Sequence, residues 1–283
     1  MQVHLRNDQL SAVIESKGSE LVSLQRGGQE LLWDAGPEWA RHAPVLFPVI
    51  GRVTDDMILH KGRRYPMNQH GFARDRDFTT VTSTPTMAHF HLEHSPRAGT
   101  EFPFPFSLET RWHLDVGHLV LTFTLTNTGD TPFPAALGWH PAFRTPRNQR
   151  WKLLFAHDEK GPTRRVNARV QLTPEKYNSP LVGTALDLSE ELLAGGAIIF
   201  ESLRSRAVQL VSAEGPLLTM QTSDEFPHFA VWKKPGAEFV CLEPWSDLPY
   251  PDGERGDVFA SPGKLLMPGA RKEYTCRVSP YAG

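Results

Sequence analysis

Cysteine is almost missing from this 283-residue chain, with Cys241 and Cys276 its only two. Two thiols without knuckle spacing exclude a disulfide framework and a cysteine-built metal knuckle, and they read as reduced thiols of a cytoplasmic protein. Long apolar runs are missing too. No stretch approaches the roughly 20 apolar residues needed to span a bilayer. Met1 to Glu20 scatters Arg6, Asp8, Glu15 and Lys17 among isolated apolar positions, so it holds no signal-peptide core. Charge of one sign is also lacking: 30 Lys and Arg stand against 32 Asp and Glu, a net charge of -2. Such a balance offers no field for nucleic acid or an anionic membrane, and a small-molecule partner is expected instead. No Ser/Gly linker, charge block or solenoid-period repeat divides the sequence. Residues 1–283 therefore read as one domain, and no coiled coil or long amphipathic helix specifies an oligomeric state.

What is present is ample core material, 40% hydrophobic against 22% charged residues, patterned with period two. Leu119, Leu121, Phe123 and Leu125 alternate with Val120, Thr122, Thr124 and Thr126, and Asn127-Thr128-Gly129-Asp130 follows as a turn. Similar strands are expected at Val3 to Leu5, Ser11 to Ile14, Leu21 to Leu24, Ala88 to Leu92, Leu108 to Leu114, Val208 to Val211, Phe229 to Trp232 and Glu238 to Leu242. Many short strands with turns between them predict an all-β, antiparallel sandwich. Helix is expected only at Glu190 to Ala194, after a Ser189 cap, and as one turn at Glu38 to His42. Most of the 24 prolines fall in connections such as Phe102 to Phe106 and Leu248 to Pro251, where they stiffen loops and protect edges.

Three segments set an ionisable residue among Gly, Pro and aromatics, as a cleft lining would. They are Gln69-His70-Gly71-Phe72-Ala73-Arg74, Gly138-Trp139-His140-Pro141-Ala142-Phe143 and Cys241-Leu242-Glu243-Pro244-Trp245. A fourth, from Arg41 to Arg52, brackets a proline-stiffened apolar run with two guanidinium groups. An imidazole titrates near neutrality and a carboxylate can act as a base, so His70, His140 and Glu243 form a candidate proton-transfer set. Trp139, Trp232 and Trp245 could offer flat faces to a sugar, or belong to the core. His89 and His91 share one face of a strand, with His94 nearby; exposed strand positions account for them, and no metal is assigned.

Taken in order, Phe47-Pro48-Val49-Ile50-Gly51-Arg52, His70 to Arg74, Gly138 to Pro141 and Glu243 to Trp245 resemble the aldose 1-epimerases, or galactose mutarotases, in particular their LacX-related branch. The resemblance runs from about Glu30 to Trp245. It implies a large antiparallel β-sandwich with few short helices, a cleft on the concave face of one sheet, and no cofactor. It further implies Glu243 as general base, His140 as general acid, His70 as a second imidazole on the sugar oxygens and Arg52 as a substrate contact. The chemistry implied is interconversion of the α and β anomers of a free aldose, with Glu243 ionised and His140 cationic at rest. Galactose mutarotases hold sugar hydroxyls with an aspartate, for which Asp187 is a weak counterpart here. Arg41, Arg52 and Arg74 could together hold a phosphate, giving a hexose-6-phosphate mutarotase, unless they pair with Asp75 or Asp77. A non-catalytic carbohydrate-binding protein would use the same cleft, and a glycoside hydrolase would need a second carboxylate facing Glu243.

Overall fold

The computed structural model describes residues 1–96, 102–254, 257 and 265–281. The alternating run at Leu119 becomes the strand His118–Asn127, central in a nine-stranded antiparallel sheet. Its neighbours are Phe106–Asp115 and Arg271–Pro280, and Trp112 pairs with Leu121 as Leu121 pairs with Cys276. Side chains on one face of a strand recur every second residue; hence Leu119, Leu121, Phe123 and Leu125 all enter the core, each at most 1% exposed. A second sheet of seven strands contains Thr163–Arg164, Ile198–Phe200, His228–Trp232, Phe239–Trp245, Gly138–Trp139 and Val45–Leu46, with Ala142–Arg144 also paired to Phe239–Trp245. A four-stranded meander, Gln2–Arg6 to Gln29–Glu30, opens the chain.

Aromatic pairs join the two large sheets into a sandwich. Trp112 meets Trp139 edge-on at 5.9 Å, and Phe155 meets Phe200 at 5.0 Å. Phe47 lies 4.8 Å from Phe106 in the same layer. Contacts of this kind add to the burial of apolar area, which dominates the stability of such a core. All nine expected strands are present. The helix Glu190–Leu193 forms as expected, with the Ser189 hydroxyl accepting the Leu192 N–H. Glu38 to His42 departs from expectation: it holds no helical turn. The Glu20 carboxylate accepts the N–H groups of both His42 and Ala43, at 2.8 and 2.9 Å. Those N–H groups are thereby taken by a side chain, and the chain between Gly36 and Pro44 is laid down as a loop.

The position of the cleft follows from the strand Phe239–Trp245, which is buried at every residue. Val240 and Leu242 face the main core, whereas Phe239, Cys241, Glu243 and Trp245 face the other side of the sheet. On that side two apolar clusters form, one around Trp33, Phe239 and Cys241, the other around Ile50, Ile199 and Trp245. Glu243 lies between them on the strand.

Candidate active site

The register of the seven-stranded sheet brings the two strongest sequence candidates together. Gly138 pairs with Trp245 and Ala142 with Cys241; continuing that register sets His140 opposite Glu243. Cross-strand neighbours on one face lie close enough for side-chain contact, and here His140 Nε2 is 3.1 Å from Glu243 Oε2. Both residues are nearly sealed from solvent, at 7% and 1% exposed. The imidazole is held from behind by Trp39, stacked at 5.0 Å and 27°, and by the edge of Trp232 at 5.9 Å.

His70 arrives from a separate loop. Its backbone has a φ of 63°, a left-handed conformation unusual for a residue with a side chain. The His70 N–H donates to the Gly51 carbonyl at 2.7 Å, and its own carbonyl accepts from Phe47. Gly71 follows because nothing larger fits: a Cβ there would sit 2.0 Å from the Phe47 carbonyl oxygen. Backbone strain held in this way is characteristic of functional positions. The Gly51 N–H donates to His70 Nδ1 at 3.1 Å. That acceptor role assigns the His70 proton to Nε2 and leaves a neutral ring, 5.7 Å from His140.

These groups line a cleft of about 390 Å³, within the range of small-molecule sites. Its walls are Trp39, Gln69, His70, Arg74, His140, Trp232, Glu243 and Trp245, together with Val166, Asn167, Ala168, Val170 and the Ala194 to Ala197 turn. Buried polar atoms here without a hydrogen-bond partner are His140 Nδ1, Arg74 Nε, which lies 3.8 Å from Asp75 Oδ2, and the indole Nε1 of Trp245.

Several expected contacts fall elsewhere. Trp139 does not line the cleft: it is 1% exposed, packs on Trp112 and donates its indole N–H to the Ala43 carbonyl. Strand alternation explains this, since Trp139 must point away from the face that His140 occupies. Arg52 pairs with Asp56 at 3.1 Å in a neighbouring cavity, and Arg41 pairs with Asp75 at 2.8 Å. Arg74 alone of the three lines the cleft, donating to the Gln69 carbonyl at 2.6 Å. Asp187 is exposed on the edge strand of the nine-stranded sheet. Among the described residues no aspartate lines the cleft. The histidines of the strand Met87–His94 are half-buried rather than exposed, and each has a partner: His89 with Glu109 and His91 with Ser107 at 2.8 Å, and His94 with the Phe102 carbonyl at 2.9 Å. Trp39, Gln69 as a lining residue and Asn167 went unread in the sequence, because they sit in loops without a periodic or motif signal.

The protonation of the pair differs from the resting ion pair expected. Burial pushes His140 down to about 3, with Arg74 acting in the same direction. It also pushes the Glu243 carboxyl well above its ordinary value, the neighbouring indole of Trp245 opposing it only in part. A dry site disfavours the charged form of each partner. Burial therefore favours a neutral carboxyl and a neutral imidazole over the ion pair. His70 is lowered as well, first by burial and then by His140 and the nearby arginines. Cys241 brings its sulfur within 4.8 Å of the same nitrogen and oxygen. Its thiol lies off the cleft lining.

A stability profile follows from these directions. The two neutral imidazoles contribute stability above the ordinary histidine value of 6.5, and this is lost as pH falls toward their folded values. Glu243, raised from 4.5, contributes stability below that value which is lost as pH rises through its folded one. Between these limits the unfolded chain gains two protons on the imidazoles against the one already held by the folded carboxyl. The two imidazoles outweigh the one carboxyl, so these three groups should make stability rise with pH between about 4.5 and 6.5. Denaturant midpoints of the wild type and Glu243→Gln across pH check this: the advantage of glutamine should grow above pH ~4.5. A constant offset would contradict it.

The aldose 1-epimerase family model matches residues 1–249. The chain belongs to the aldose 1-epimerase family. It is 27% identical over 264 residues to the plasmid-encoded protein LacX of Lactococcus lactis, covering 88% of each chain. Among solved structures it is similar to a galactose mutarotase-like protein from Lactobacillus casei, with a TM-score of 0.91, 28% identity and coverage of 99% of this chain and 100% of that one. It is also similar to a galactose mutarotase related enzyme from Lactobacillus acidophilus, with a TM-score of 0.88, 26% identity and coverage of 100% and 98%. Membership of this family fits an all-β sandwich with a sugar as the class of substrate.

Proposed function

We propose that this protein is an aldose 1-epimerase that interconverts the α and β anomers of a free aldose by opening and reclosing the hemiacetal ring. The observation that carries the proposal is the buried His140–Glu243 pair, 3.1 Å apart in the wall of a monosaccharide-sized cleft. Proton transfer across that contact converts the resting neutral pair into imidazolium and carboxylate. Glu243 then removes the proton of the anomeric hydroxyl while His140 protonates the ring oxygen, and the ring opens to the aldehyde. Rotation about the bond from C1 to C2 presents the other carbonyl face, and closure returns both protons. The pair carries one proton before and after the cycle.

His70 supplies an Nε2–H donor to a sugar oxygen, and Trp245, Trp232 and Trp39 supply apolar walls. Each positioned acid or base contributes roughly 10²- to 10⁴-fold. Hemiacetals open spontaneously in water, so orientation with this pair is sufficient chemistry. The two free, buried thiols suit a reducing compartment, and a cytoplasmic setting belongs to the same proposal.

A three-arginine phosphate clamp has little support, because Arg41 and Arg52 are ion-paired outside the cleft lining. A non-catalytic sugar binder would have no use for a sealed acid–base pair. The decay of optical rotation of freshly dissolved glucose, galactose and glucose 6-phosphate tests the choice. Acceleration of a free aldose at least equal to that of the phosphate is expected. Acceleration of the phosphate alone would overturn the free-aldose reading.

A further inference from the structure

Trp245 ends the strand that carries Glu243, two residues on and therefore on the same face. It lines the cleft at 3% exposure, and its indole Nε1–H is buried without a hydrogen-bond partner. Buried polar groups are seldom left unpaired, and an exception calls for a use. Opposite Trp245 in the register stands Gly138, where a Cβ would come within 2.8 Å of Trp245 Cδ1. The indole ring thus rests on a backbone position that only glycine leaves open. The segment Gly138-Trp139-His140 supplies both the partner of Glu243 and the seat of Trp245.

We propose that Trp245 is a positioning residue for this reaction: its indole N–H becomes the donor to the Glu243 carboxylate when the shared proton crosses to His140, and Gly138 holds the ring in place for it. The catalytic consequence rests on the epimerase reading given above. His140 stands 3.1 Å from the Glu243 carboxyl, and an ionised carboxylate in this dry site needs a second donor beside it. The charged or titratable groups around it are His140 and Cys241 on its own sheet, His228 opposite Trp245 on the adjacent strand, and His70 and Arg74 from the 69–74 segment. Trp245 favours the ionised carboxyl against burial. It does so without adding a charge to the cleft.

The test follows the indole N–H directly. In ¹⁵N-labelled wild-type protein, with the Trp245 resonance assigned by its loss in Trp245→Phe, the N–H proton should move downfield as Glu243 ionises. In Glu243→Gln the movement should vanish. Trp245→Phe keeps an aromatic wall, so KM should stay within about twofold while kcat falls about tenfold and the acidic limb of the pH profile moves up about one unit, a tenfold change in ionised fraction. Gly138→Ala, which displaces the ring without removing it, should reproduce the kinetic change and shift the indole resonance. An indole resonance that ignores Glu243, or a Trp245→Phe enzyme with unchanged kcat and pH profile, overturns the proposal. A titrating indole in a protein that accelerates no aldose would uphold the Trp245–Glu243 contact and refute the epimerase reading instead.

Discussion

Glu243→Gln should leave the protein folded and lower kcat by roughly 10²- to 10⁴-fold, the contribution of one positioned base. The carboxyl is 1% exposed and burial favours its neutral form, so a neutral amide of nearly the same shape replaces it without burying a new charge. An amide cannot accept the proton of the anomeric hydroxyl. Circular dichroism and a thermal midpoint no lower than that of the wild type would establish that the loss is chemical. Replacement by alanine would be a poorer probe. It would leave His140 without its partner and open a void in a packed wall, which mixes stability with catalysis.

His140→Asn is expected to cost a similar factor, and the double variant little more than either single one. The reason is that the two side chains share one proton across 3.1 Å and act as a unit, which makes their effects strongly non-additive. Single-turnover or exchange rates for the three variants check this. Multiplicative losses would mean that His140 and Glu243 act on separate steps. The pH profile gives the same information in another form: a bell whose limbs belong to the pair, since groups this strongly coupled titrate jointly.

Much of the fold was legible because one face of each strand must be apolar. The run from Leu119 to Thr126 marked a strand, as did Val208 to Val211 and Phe229 to Trp232, and the structure sets these three in the two large sheets. Pairing between distant strands was not legible in this way. Nothing local says that Gly138 opposes Trp245, yet that register is what turns two separate motifs into the His140–Glu243 contact. Trp139 shows the same limit from the other side. Its neighbour faces the cleft, so alternation sends Trp139 into the core, a consequence that appears only once the strand is known. The charge state was hardest to read, because two ionisable side chains suggest an ion pair until their burial is known. Trp39 carried no signal at all, being an isolated aromatic in an irregular loop that stacks on His140 only through the tertiary fold.

The most direct test of the central claim is the rate of anomer exchange measured by magnetisation-transfer NMR on equilibrated glucose and galactose, with wild-type protein and Glu243→Gln at equal concentration. The account predicts exchange well above the buffer rate for at least one free aldose with the wild type, and a return to near the buffer rate with Glu243→Gln. Equal acceleration by both proteins, or none by the wild type, would contradict it.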